Sequence, residues 1–75
     1  PGRIVLEALN DAGEAGMAPT ALREETGLEP SPFRMIMDPM LEQKLVSRLS
    51  GQGQVRYVVL EKGRAELKRL RDLSP

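Results

Sequence analysis

At 75 residues the chain has length for one small domain and not for two. It contains no Cys and no His, which excludes disulfides, thiol chemistry, imidazole general bases and His or Cys zinc sites. One Tyr, one Phe and no Trp leave no stacking platform of the kind RNA-reading sheets use. Eleven basic residues balance eleven acidic ones. Taken alone, that balance counts against a nucleic-acid partner, because domains that bind polyanions are usually basic.

The balance is uneven along the chain. Residues 1–30 carry two bases against six acids, and residues 31–75 carry nine against five. The C-terminal part therefore holds a positive field that can steer a polyanion even though the whole is neutral. No apolar run approaches the ~20 residues of a membrane helix, and no signal peptide opens the chain. With no Cys and no export signal the expected location is the cytoplasm, and no membrane partner is expected. The opening residue is Pro1, an opening expected of a piece excised from a longer protein.

Ile4, Val5, Ala8, Leu9 and Ala12 recur at helical spacing, predicting a first helix over 3–12 with that stripe inward. Gly13 stops it, and Met17-Ala18-Pro19 reads as a short extended piece, since proline disfavours helical geometry before it. Thr20 is a suitable N-cap for a second helix over 21–26, which Gly27 ends. Ser31 as N-cap and Pro32 at the first helical position open a third. There Phe33, Ile36, Met37, Met40 and Leu41 form the buried side. Pro39 removes the bond to the Met35 carbonyl, so this helix either kinks there or restarts at Asp38-Pro39.

From Leu45 the apolar period changes to two. Residues 45–49 and 55–60 flank Ser50-Gly51-Gln52-Gly53-Gln54, a β-hairpin pattern. A three-residue loop Gly51-Gln52-Gly53 pairs Leu49 with Val55, Ser47 with Tyr57 and Leu45 with Val59 on one apolar face. The same register sets Arg48 opposite Arg56, which calls for an anion or carboxylate between them, unless both are solvated edge charges. A two-residue turn is disfavoured because it mixes Arg56 into the Leu45/Leu49 face. A last helix over 61–73 turns Gly63, Leu67 and Leu70 inward, with Leu73 extending that edge.

Helix, extended piece, helix, turn, helix, hairpin, helix: this order resembles a winged helix-turn-helix domain, an α+β (mainly α) fold with a three-helix core, a two-stranded wing and a C-terminal helix. The resemblance spans residues 1–75 as one domain. It is carried by ALREETGLEPSPFRMIM at 21–37, with Leu22, Gly27, Leu28, Phe33, Met37, Met40, Leu45 and Val46 in the family's order of apolar and turn positions. It is carried again by 56–67, RYVVLEKGRAEL, which looks like the wing strand and helix start of MarR- and PadR-like bacterial regulators. Leu60 stands where those proteins have Thr.

The resemblance implies a DNA-binding module of a transcription regulator or DNA-processing protein, with helix 31–38 in the major groove and the 45–60 wing on the backbone. The residues it assigns to DNA are Thr20, Ser31, Arg34, Met35, Arg48 and Arg56. Arg34 suits guanine, Ser31 suits a phosphate or a base edge, and Thr20 suits a phosphate. Double-stranded DNA is the expected partner, with no cofactor, no metal and no enzymatic activity. The competing reading is a winged helix that contacts protein or other domains of its parent chain through Pro32, Met35 and Leu73.

Single features also have plainer readings. Met37 and Met40 read as core, leaving Met35 as the contact. Glu24, Glu25 and Glu29 read as a solvated face rather than catalytic carboxylates. Arg64, Lys68, Arg69 and Arg71 read as an exposed helix face whose charge suits the helix C-terminus. Regulators of this type are often dimers, and Leu67, Leu70 and Leu73 could be shared with a second subunit. Packing within the chain explains those leucines more simply.

Overall fold

The computed structural model describes residues 2–73. Helix α1 (Gly2–Ala12) runs into a 3-10 turn (Gly13–Ala15), then α2 (Pro19–Thr26) and α3 (Pro30–Glu42) follow. The hairpin β1 (Val46–Gly51) and β2 (Gln54–Val59) leads into α4 (Glu61–Leu73). One core joins all of them: Val5, Leu6 and Leu9 of α1, Leu22 of α2, and Phe33, Met37 and Met40 of α3 are buried. Leu45, Val46, Val59 and Leu67 close it from the hairpin and α4. The two aromatic rings meet there edge to face, Phe33 against Tyr57, with centroids 6.1 Å apart.

The buried stripe of α1 is rotated from the one expected. Leu6 is buried and Ile4 is 49% exposed. Leu6 shares a hollow with Met40, Leu45 and Leu70, so α4 packs against the Leu6 side and draws that edge inward.

Helix starts also differ. The N-cap of α2 is Ala18, extended, with Pro19 at the first helical position, so Thr20 lies inside the helix rather than capping it. The N-cap of α3 is Glu29, with Pro30 first, and Ser31 and Pro32 already inside the first turn. In both cases the helix starts two residues earlier than expected, because a proline with fixed φ and no N–H suits a first helical position. Helix α3 is continuous through Pro39, so the restart at Asp38-Pro39 is not adopted.

Two helix ends are closed by left-handed residues. Gly27 (φ 71°) ends α2, and the Leu28 amide donates to the Arg23 carbonyl. At the end of α3 the left-handed residue is Lys44 (φ 65°), with Leu45 N–H donating to the Met40 carbonyl at 2.9 Å and Lys44 N–H to Leu41 at 3.2 Å. These two bonds form a Schellman motif that turns the chain into the wing.

The hairpin register is shifted by one from the expected one. Val46 pairs with Val59, Arg48 with Tyr57, Leu49 with Arg56 and Gly51 with Gln54. The loop is the two-residue Gln52-Gly53, both at positive φ (52° and 74°), a conformation that matches the twist of the ladder. Arg48 and Arg56 therefore lie on opposite faces, and no anion between them is called for. The expected register assumed one apolar face and one polar face. Instead burial is graded along the strands: Val46, Val58 and Val59 at the base are buried, while Leu49 and Arg56 nearer the tip are exposed. Both faces of the base are covered, Val59 lying against Gly63 of α4 and Val58 against Gly16, and the free edge of β2 is paired by Met17, which exchanges backbone bonds with Tyr57 at 2.9 and 2.8 Å.

Helix α4 has the expected bounds, and Gly63 lies close against the wing base at Leu45 and Val59. Gly63 and Leu67 are buried and Leu70 packs on the core, whereas Leu73 is 69% exposed.

Candidate nucleic-acid interface

Helix α3 is held by its inner face, so its outer face is presented as a rigid surface. Phe33, Met37 and Met40 fix the helix against the core, and Ser31, Pro32, Arg34, Met35 and Asp38 are all exposed. The turn before it is braced: Arg23 Nε donates to the Leu28 carbonyl at 3.3 Å, and Thr26 Oγ1 donates to the Leu22 carbonyl at 2.8 Å. The first bond ties α2 to the α2–α3 turn, and the second closes the last turn of α2.

Arg34 does not stand alone. It lines a hollow with Pro19, Arg23, Pro30, Asp38 and Tyr57, which brings the first turn of α2, the α3 flank and the wing strand together. Arg23 is thus a second guanidinium beside Arg34 that the sequence reading left out. The signal was available in part, because Arg23 lies one helical turn from Pro19 and so shares its face. What the sequence lacked was the turn that folds this face toward α3. Asp38 lines the same hollow and offsets part of its positive charge.

The wing arginines divide between two surfaces. Arg48 shares a ladder face with its partner Tyr57, whose ring packs on Phe33, so it belongs to the α3 side of the hairpin. Arg56 takes the other face and donates from Nη1 to the Ala15 carbonyl at 3.4 Å. It also borders a hollow with Met17, Ala18, Pro19 and Ala21. Pro19 lines both this hollow and that of Arg34, so the first turn of α2 lies between the two arginines. Thr20, in the same turn, is exposed, but its own hollow contains Glu24 and Glu29 beside Arg23. A phosphate approaching Thr20 therefore meets two carboxylates as well as one guanidinium.

Of the six residues assigned from sequence, Ser31, Arg34 and Met35 share the outer surface of α3. Thr20 and Arg56 adjoin it through the first turn of α2, and Arg48 adjoins it through Tyr57. Two of the five basic residues of α4 are engaged elsewhere: Arg71 meets Glu7 at 3.5 Å and Arg69 pairs with Glu66. That last pair holds the Glu66 carboxyl below its usual range through the hydrogen bond from Arg69, and raises Arg69 in turn.

No family model and no curated protein matches the chain. A solved structure does: the crystal structure of a predicted DNA-binding transcriptional regulator from E. coli, at a TM-score of 0.70 and 19% identity. The match covers 96% of this chain and 75% of that one. The likeness shows the fold, a mainly helical winged helix-turn-helix with a two-stranded wing and a C-terminal helix. Among the described residues no helix is long and apolar enough to cross a membrane.

Proposed function

We propose that the chain is a DNA-binding module of a transcription regulator or a DNA-processing protein, acting as one domain of a cytoplasmic protein. Helix α3 enters the major groove over residues 31–38, and the wing and the first turn of α2 lie against the backbone. The observation that carries this reading is the grouping of Arg23, Arg34, Arg48 and Arg56 around an α3 whose outer face is wholly exposed. The fold shared with a predicted DNA-binding transcriptional regulator supports it. In this arrangement Arg48 and Arg56 neutralise phosphates and set the register. Arg34 has the fork geometry to donate to guanine O6 and N7. Asp38 limits affinity and disfavours placements that bring phosphate to that point of the helix. The family within the winged-helix group, for which the MarR- and PadR-like pattern at 56–67 is the best guide, is part of the same proposal.

A module that contacts protein instead is favoured by one observation, the exposure of Leu73 at the end of α4. Leu73 and Met35 lie on different helices, and a protein contact through α4 is compatible with DNA on α3.

The test is an amide NMR titration with a short duplex at low ionic strength. Shifts concentrated in 19–23, 31–38 and 48–56 are the expected result. A spectrum that does not change with DNA at low salt would sink the reading.

A further inference from the structure

At about 100° per residue, the direction opposite the buried trio Phe33, Met37 and Met40 falls between Ser31 and Met35. The crown row is thus Ser31, Met35 and, in the last turn, Glu42, and over residues 31–38 the long side chain it carries is a methionine and not an arginine, asparagine or glutamine. Met35 is 73% exposed, whereas Met37 and Met40 on the same helix are at 2% and 7%. The exposure therefore belongs to the position and not to the residue type. A single exposed apolar side chain is ordinary on a protein surface. What distinguishes this one is its place, where a helix lying in a groove comes nearest the base edges.

The major groove offers a side chain one apolar group, the C5-methyl of thymine. Resting on the reading of α3 as the groove helix, we propose that Met35 determines specificity by packing its thioether against a thymine methyl. Arg34 is rotated from the crown toward Pro19 and Tyr57, so it addresses a neighbouring base pair and leaves this position to Met35. Ser31, one turn earlier on the same crown, is small enough to let the groove floor approach. A protein partner is the poorer occupant. A standard interface takes about 800 Å² from each side, and the apolar part of this face is Met35 with the exposed Pro32 and Pro39.

The experiment selects duplex sites from a random library at low salt, then replaces each selected thymine singly with deoxyuridine, which lacks only the methyl. With the wild-type chain one or two positions should lose about fourfold in affinity, the worth of one buried methyl-sized group. Met35→Ala should bind the thymine and uridine duplexes equally, and Met35→Leu should keep the discrimination. Met35 makes no core contact, and a thermal melt of each variant confirms that it is folded. Uridine tolerated at every position by the wild type overturns the proposal, as does an equal loss in Met35→Ala. In either case duplex binding survives, and only the role of Met35 is lost. Absence of salt-sensitive binding to any duplex overturns the DNA reading itself, and this inference with it.

Discussion

Gly63→Ala sets two effects of opposite sign against each other in α4. Alanine is the better helix former, and the exchange should gain at most about 1 kcal/mol in an exposed helix interior. Position 63 is buried, however, and an added Cβ would overlap the Leu45 carbonyl oxygen and stand 2.8 Å from Val59 Cγ2. That carbonyl cannot retreat freely, since it accepts the Leu60 amide at 2.9 Å where the wing joins α4. Overpacking of this kind costs about 1–3 kcal/mol, and weakening the Leu60 bond adds about 0.5–1.5 kcal/mol. The net expectation is a loss of about 2–3 kcal/mol. For a domain of this size that is a fall in Tm of roughly 10–20 °C. Thermal unfolding followed by circular dichroism measures it, with Ala65→Gly as the control. Ala65 is exposed on the same helix, so its replacement should cost only the propensity term of about 1 kcal/mol. A Gly63→Ala protein that melts at or above the parent would refute the close packing of α4 on the wing base.

Three smaller predictions concern backbone and charge. Gln52 and Lys44 hold positive φ without being glycine. Gln52→Asn and Lys44→Gly should each raise stability, by roughly 0.5–1 kcal/mol, in urea unfolding with an unchanged m-value. Because Arg69 donates to its carboxyl, Glu66 should titrate below the usual carboxylate range by side-chain carbon NMR, and Arg69→Ala should return it to that range. The sign follows from the lowered pKa: what the pair contributes is present above the unfolded-state carboxyl pKa and is lost as pH falls through the folded one. The pair lies at the surface, Arg69 exposed and Glu66 half-buried, so solvent screens it and the titration curve, not the melting temperature, is where this should be seen.

Much of the architecture was legible in local signals. The bounds of α4 follow from Gly63, Leu67 and Leu70 at helical spacing after a strand, and the wing follows from the change of period at Leu45. Gly27 marks the end of α2 because its left-handed conformation closes the helix. Local signals failed where two elements compete for one residue. Ile4 and Leu6 fit an inward stripe about equally well, and only the position of α4 decides for Leu6. The hairpin register was misjudged for a related reason. Alternation assumes that one face is buried throughout, whereas Gly16 and Gly63, from distant points in the chain, lie against opposite faces of the wing base and the tip is left exposed. At the site, Ser31, Arg34 and Met35 could be placed on an outward face from the helical period alone. Arg23 could not, since its approach to Arg34 depends on the turn at Gly27–Glu29.

The most direct measurement is the salt dependence of duplex binding by the wild-type chain and by a form in which both Arg48 and Arg56 are replaced with Ala. With Arg23, Arg48 and Arg56 on phosphates, log K should fall against log salt concentration with a slope of about −2.7, that is, −0.9 for each contact. The double replacement should bring the slope to about −0.9 on any sequence, while Arg34→Ala should leave the slope nearly unchanged and narrow the difference between preferred and random duplexes. A slope unaltered by the loss of both wing arginines, or no binding even at low salt, would contradict the assignment of this face to DNA.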